Sequence, residues 1–357
     1  MDLMRIVLTG GPCGGKTSAM PFLRDKLSSK GLHTVTVPES ATLLYQHGFD
    51  LASPGDQKAL VRQAAVLNCQ KTLEDTMGVM NIISGKPTIV LSDRGIMDCK
   101  AYTPSHVWTE LLENHGWSEI KFREGRYDAV FFLESAAIGT DFYTKSNNAA
   151  RIEDASMAVD ADHRTRMAWM GHPHLRIIDN STDFNGKLER LWKAVEHVID
   201  PNKKEIERRF LVKSWVRPND MVSVNITQTY LESMDNTIRR VRDRHQESSL
   251  YYLTTKEIVT GIARTEHETL ISHERYLDLL KDQDPERRPI SKERKYFFWK
   301  DRQFELDVFG YPHNGLVILE AEMDDPSEVV EIPPYIEIEK EVTDDPSYSN
   351  WHLAAKI

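Results

Sequence analysis

Arg5–Ser18 reads RIVLTGGPCGGKTS, and the rest of the chain is arranged around it. Arg5 to Thr9 is a short apolar, β-branched run with the composition of a buried parallel strand. Gly10-Gly11-Pro12-Cys13-Gly14-Gly15-Lys16-Thr17 fits the complete G-x-x-x-x-G-K-[ST] pattern of a phosphate loop. Gly10, Gly11, Gly14 and Gly15 let the backbone curl until successive N–H groups point at phosphate oxygens. Lys16 is placed to reach the β- and γ-phosphates of ATP or GTP, and the Thr17 hydroxyl to hold Mg²⁺ or Mn²⁺. Ser18 opens a helix-compatible stretch to Leu27, which sets a positive helix end beside the bound phosphates.

The 357 residues suit two domains. A net charge of −10 argues against a general nucleic-acid binder, which carries a basic surplus. Three cysteines, one of them inside the phosphate loop, make no disulfide framework and suit a reducing compartment. No apolar run has the length of a membrane span, and the N-terminus opens into a strand without a cleavable-signal pattern. The expectation is a cytoplasmic protein.

Residues 1–199 alternate strands and helices, the pattern of a parallel sheet with crossover helices. Strands are expected at His33–Val37, Thr88–Ser92, Tyr127–Leu133 and Leu175–Ile178, with one long helical stretch from Gly55 to Ile83. Ligands of such sheets gather beyond the strand carboxyl ends, where Glu39, Asp93-Arg94, Glu134 and Asn180-Ser181 fall. Asp93 can coordinate Mg²⁺ or take a proton from a substrate hydroxyl, and Arg94 can neutralise a transferring phosphoryl group. Asp93 can equally cap the next helix, and Glu39 can bind a substrate hydroxyl or cap a helix. The polar stretch 146–166 carries Arg151, Arg164 and Arg166 and reads as a lid closing on phosphates, or as a solvated helix with Arg–Glu pairs.

GGPCGGKT, VPESAT, the strand ending in DRG and AWMGHPHLRIIDNSTDF together resemble the P-loop domain shared by NadR-type ribosylnicotinamide kinases and the TRPL translocation defect protein family. The resemblance implies a kinase-like fold with Asn180-Ser181 near the nucleotide base. Its kinase branch implies phosphorylation of a small acceptor, and its other branch GTP binding in membrane trafficking.

Pro201-Asn202-Lys203-Lys204 is a polar joint, so the second domain is taken as residues 200–357. Beyond it the period changes to two. Glu205 and Glu207, Arg240 and Arg242, Lys292 and Arg294, Glu305 and Asp307, and Glu320 and Glu322 each lie two apart, and residues two apart share one face of a strand. So many strands with charges of both signs on one face suggest an antiparallel closed barrel with a charged lumen, suited to a polyanion and a metal. Asp324 to Glu341 is read as an exposed loop and edge helix.

Glu205-Ile206-Glu207-Arg208-Arg209 and the ending Tyr348-Ser349-Asn350-Trp351-His352-Leu353-Ala354 resemble the CYTH domain of the triphosphate tunnel metalloenzymes. By that resemblance Glu205, Glu207, Glu320 and Glu322 hold metal, while Arg209, Arg240, Arg242, Lys256, Lys292 and Arg294 grip triphosphate oxygens. Glu266, Glu268, Glu305 and Asp307 are further acidic lining. Arg209 stands where that family has lysine; it keeps the charge but does not deprotonate, so binding without turnover is a second expectation. The leading expectation is a Mg²⁺-dependent P-loop phosphotransferase or NTPase fused to a tunnel acting on triphosphate. The alternative is a GTP- and phosphoinositide-headgroup-binding regulator in peripheral contact with membranes.

Overall fold

Strand β1 (Leu3–Thr9) lies at the centre of a five-stranded parallel sheet, with β3 (Thr88–Asp93) on one side and β4 (Ala129–Leu133) on the other. β2 (His33–Val37) and β5 (Leu175–Ile178) complete the order β2-β3-β1-β4-β5. The computed structural model describes residues 3–139, 155–200, 206–233, 237–257, 266–323 and 328–356. It divides into two compact units, Met1–Pro201 and Asn202–Ile357.

In the first unit Ile6, Val7 and Leu8 are fully buried, which is why β1 reads as a continuous apolar run. Ile6 and Leu8 share a core with Ala19, Leu23 and Leu27 of α1 (Lys16–Ser29) and with Leu191 and Val195 of the last helix. The other helices are α2 (Ser40–Gln46), α3 (Asp56–Gly78), α4 (Met80–Ser84), α5 (Asp98–Ala101), α6 (Ser105–His115), α7 (Glu119–Arg123), α8 (Ala155–Trp169) and α9 (Phe184–Ile199). The stretch expected as one helix to Ile83 is two helices that meet at Val79. At the break Gly78 faces the Arg5 guanidinium, where a Cβ would come within 2.8 Å. Among the described residues no helix is long and apolar enough to cross a membrane.

Among the described residues the second unit is a nine-stranded antiparallel sheet. In chain order its strands are β6 (Ile206–Trp215), β7 (Val222–Leu231), β8 (Thr237–His245), β9 (Ser249–Glu257), β10 (Glu266–Ile271), β11 (Ile290–Trp299), β12 (Arg302–Phe309), β13 (Val317–Met323) and β14 (Ile336–Glu341). Helices α10 (His273–Leu279) and α11 (Asn350–Leu353) lie between and after them. The spatial order is β10-β9-β8-β7-β11-β12-β13-β6-β14, so β10 and β14 are its edges among the described residues. β14 corrects the expected edge helix: Ile336 and Ile338 alternate with glutamates and pack on Phe210, Val212 and Phe304, and that period of two makes a strand paired to β6.

Candidate functional site

The loop after β1 is shaped by what lies against it. A Cβ on Gly10 would stand 2.0 Å from the Leu133 carbonyl oxygen, and one on Gly14 2.5 Å from the same atom. Gly10 also has φ +136° and Gly15 φ +94°, where side chains are strained. A Cβ on Gly11 would meet Asp162 Oδ1 at 2.5 Å. Gly10→Ala is therefore expected to cost the first unit about 1–3 kcal/mol, read as an earlier urea midpoint with an unchanged slope.

Asp162 of α8 is buried and accepts hydrogen bonds from the backbone N–H groups of Gly11 (3.1 Å) and Ser135 (2.8 Å). Burial nonetheless raises its carboxyl pKa; those two bonds only partly offset the effect. Lys16 folds back over the loop, its Nζ donating to the carbonyls of Gly10 (2.9 Å) and Gly11 (3.0 Å). Burial, followed by the nearby Arg94 charge, brings its pKa down to about 8 against the pull of Asp93, Glu39 and Asp98. Gly15 is the N-cap of α1; no side chain caps this helix and no acid stands in its first turn. Thr17 and Ser18 are exposed on that turn.

At the end of β3 Asp93 has its Oδ1 buried with no hydrogen-bond partner, and burial raises its carboxyl, Lys16 partly opposing. Arg94, at φ +67°, donates through Nε to Glu39 Oε1 (2.6 Å) and through Nη1 to Asp98 Oδ1 (3.0 Å) and the Gly10 carbonyl (3.3 Å). Burial alone would raise the Glu39 carboxyl, but Arg94, the Thr42 hydroxyl and Lys16 hold it below its ordinary value. Asp98, nearly fully buried, also accepts from the Thr9 hydroxyl, the Gly95 N–H (2.8 Å) and the Trp169 indole (3.3 Å). The structure thus gathers Lys16, Asp93, Arg94 and Glu39 at one place and adds Asp98 and Asp162, which sequence reasoning missed.

Asn180 is half-buried and Ser181 exposed, and both hydrogen-bond within the turn and to its neighbours. Asn180 Nδ2 donates to the carbonyls of Ser135 (2.8 Å) and Ile138 (2.9 Å), and its Oδ1 accepts from Lys187 (2.7 Å). The Ser181 hydroxyl donates to Asp179 (2.6 Å). Of the arginines expected in a lid, Arg164 donates to the Ala101 carbonyl (3.0 Å) and Arg166 interacts electrostatically with Asp162. Arg151 lies outside the described residues.

In the second unit the cross-strand register decides which side chains share a face. Glu207 opposes Glu322, Arg209 opposes Glu320, and Glu320 opposes Glu305. Asp307 opposes Arg294, and Lys292 opposes Ile226, which opposes Arg244. Tyr230 opposes Arg240, which opposes Thr254; Thr254 opposes Glu268, and Lys256 opposes Glu266. All the charged positions singled out from β6 to β13 therefore fall on one face of the sheet. Glu205 lies outside the described residues.

That face is buried along most of its length: Asp307 has no exposed surface, and Arg240, Arg244, Lys292, Arg294 and Glu305 are each under a tenth exposed. Arg294 grips Asp307 with Nε and Nη2, both at 2.7 Å, and touches Glu305 and Glu320. Lys292 pairs with Asp307, Arg242 with Glu268, and Arg244 donates to the Tyr296 hydroxyl (2.7 Å). Acids outnumber bases around β6, β12 and β13, while arginines crowd β8. Burial raises the Asp307 carboxyl, but Arg294 and Lys292 overcome that and hold it near pKa 2. Glu305 goes the other way, to about 8, because burial and the neighbouring Glu322, Glu320 and Asp307 outweigh an Arg294 already committed to Asp307.

A family model described as an AAA domain matches residues 5–187. An inorganic triphosphatase of Acetivibrio thermocellus is 33% identical over 150 residues, covering 42% of this chain and 92% of that protein. One of Nitrosomonas europaea is 32% identical over 157 residues, covering 43% of this chain and 98% of that protein. A crystal structure of an inorganic triphosphatase shares 28% identity and a TM-score of 0.34, covering 43% of this chain and 95% of that one.

Proposed function

The chain belongs to the AAA domain family over residues 5–187 and, over 42% of its length, to the family of the inorganic triphosphatases, and we propose from this that it is a phosphohydrolase with two condensed-phosphate sites. Residues 1–199 bind a nucleoside triphosphate at the glycine loop. Residues 200–357 close into a barrel around the ionic face and bind inorganic triphosphate. The observation that carries this reading is the burial of that face, since an ordinary antiparallel sheet turns its charged side to water.

In the first site the uncapped first turn of α1 and the loop amides receive phosphate oxygens, and Lys16 leaves the Gly10 and Gly11 carbonyls to meet them. Asp98 and Asp162 hold the loop and Arg94 in place. In the second site Arg240, Arg242, Lys256, Lys292 and Arg294 take the phosphate oxygens, exchanging carboxylate partners for them.

A divalent cation fits both places on donor chemistry. Asp93 offers a buried, unpartnered carboxylate oxygen close to Lys16 of the loop, and Glu207, Glu320 and Glu322 offer hard oxygens where acids are in surplus. Among the described residues no group of three or more acidic, His or Cys side chains would hold an ion unaided. Phosphate oxygens would complete its shell, as they commonly do for Mg²⁺. When bound, such an ion neutralises phosphate charge and acidifies a bound water.

The test is phosphate release from ATP, GTP and tripolyphosphate with Mg²⁺ or Mn²⁺, for wild type, Lys16→Ala and Glu207→Ala. Tripolyphosphate turnover lost in Glu207→Ala and kept in Lys16→Ala is the expected pattern. Loss of all turnover in Lys16→Ala would remove the second site from the chemistry.

A further inference from the structure

The ionic face does not run uncovered from end to end. Tyr230, Ile238, Ile290, Phe309 and Ile318 lie on the same face as the charges: Tyr230 opposes Arg240, Ile238 opposes Lys256, Phe309 opposes Lys292 and Ile318 opposes Asp307. They form one apolar cluster with Tyr348, Trp351, Leu353 and Ala354 of the C-terminal segment. Trp351 meets the Tyr230 ring edge-on at 4.9 Å and carries the Arg287 guanidinium 3.4 Å above its own ring. Two hydrogen bonds fix the segment further: the Arg288 N–H donates to the Ala354 carbonyl (2.7 Å), and the His313 ring bonds the Leu353 carbonyl (2.7 Å).

Arg209 belongs to this cover. Its guanidinium donates to the carbonyls of Thr343 (2.9 Å) and Tyr348 (3.3 Å), its N–H donates to the Thr343 hydroxyl (3.1 Å), and its carbonyl accepts from Val342 (2.8 Å). A planar fork with several fixed donors can hold two carbonyls at once, which an ammonium does less well. Four residues along β13 from the covered Ile318, Glu322 opposes Glu207, whose side chain remains 45% exposed.

We propose that Arg209 is a latch holding the C-terminal segment over one end of the ionic face, so that this site admits polyphosphates only by a free terminal phosphate. The inference rests on the triphosphate reading of the second unit. Its ligand class is tripolyphosphate or the free end of a nucleoside triphosphate; a triphosphate esterified at both ends is excluded.

The experiment compares tripolyphosphate, ATP and diadenosine triphosphate by calorimetry in full-length protein carrying Lys16→Ala, which silences the first site. That protein is expected to bind the first two and to bind diadenosine triphosphate at least about tenfold more weakly. Adding Trp351→Ser or Arg209→Met is expected to recover most of that difference. Arg209→Met leaves the apolar seat intact and answers the question if Trp351→Ser unfolds the unit. Equal binding of ATP and diadenosine triphosphate before the cover is loosened would overturn the proposal. So would a folded Arg209→Met protein that loses tripolyphosphate affinity without admitting the doubly esterified ligand, because Arg209 would then be a phosphate ligand. If no polyphosphate binds, the triphosphate reading itself falls, and that result is distinct from either of the others.

Discussion

Asp307→Asn is expected to destabilise the second unit by about 3–5 kcal/mol, the usual consequence of removing one partner from a buried ion pair. Asp307 has no exposed surface and is the shared partner of Lys292 and Arg294. Its loss leaves both cations buried with less compensation. Lys292 has an escape, since burial already lowers its pKa and it can shed its proton. Arg294 has none; it keeps Glu305 and Glu320 but loses its two-toothed partner. Chemical denaturation followed on the full chain should show the transition of the second unit moving to lower denaturant while that of the first stays in place. The pH dependence gives a second check. Asp307, held at about 2 against 3.8, supplies stability present above 3.8 and lost as pH falls toward 2. Glu305, raised from 4.5 to about 8, supplies stability that is full below 4.5 and lost as pH rises through 8. Asp307→Asn should remove the Asp307 share of the acid-side loss and leave that of Glu341, which its Arg208 partner also holds at about 2. A variant as stable as wild type would show that the cluster is not an interlocked set.

Much of this was readable in the sequence because two patterns leave marks at fixed spacing. The glycine loop must be written in consecutive residues, since backbone curvature is local. Charges two apart on successive strands must share a face, so the ionic side of β6 to β13 follows from period alone. Asp98 and Asp162 leave no such mark. Each is an ordinary acid in a helix, and its meaning comes from a partner far away in the chain: Asp162 reaches Gly11 across 151 positions, and Asp98 reaches Thr9 across 89.

Arg94 and Arg209 were legible in place, but their protein partners were not. Sequence put both beside phosphate; the structure ties Arg94 between Glu39 and Asp98 and Arg209 onto the carbonyls of Thr343 and Tyr348. An arginine's partners depend on which carboxylates and carbonyls tertiary packing delivers, and no local pattern encodes that. The approach of Arg5 to Gly78, beside the break at Val79, is similar, because the two residues are far apart in the chain.

Lys16→Ala is expected to lower nucleoside triphosphate turnover by roughly 10²–10³-fold, the scale of removing one preorganised donor to developing charge. Lys16 is the cation proposed to close on the phosphates, since Arg94 is held by two carboxylates and a carbonyl. Its pKa of about 8 in the ligand-free protein adds a sharper signature. Phosphate oxygens favour the charged ammonium, so the bound state has the higher pKa. Nucleotide binding should therefore take up a proton as pH rises past about 8, with affinity falling over the same range, and should take up almost none at this group near pH 6. Asp93, raised by burial, and Glu39, lowered by Arg94 against its burial, belong to the acid limb. Lys16→Arg stays charged throughout and should flatten the alkaline limb, though a bulkier planar guanidinium replaces a compact ammonium inside the tight loop and turnover should still fall. Calorimetry of nucleotide binding in buffers of different ionisation enthalpy measures the proton directly. An alkaline limb identical in wild type and Lys16→Arg would assign the titrating group elsewhere and remove Lys16 as the charge that closes on the phosphates.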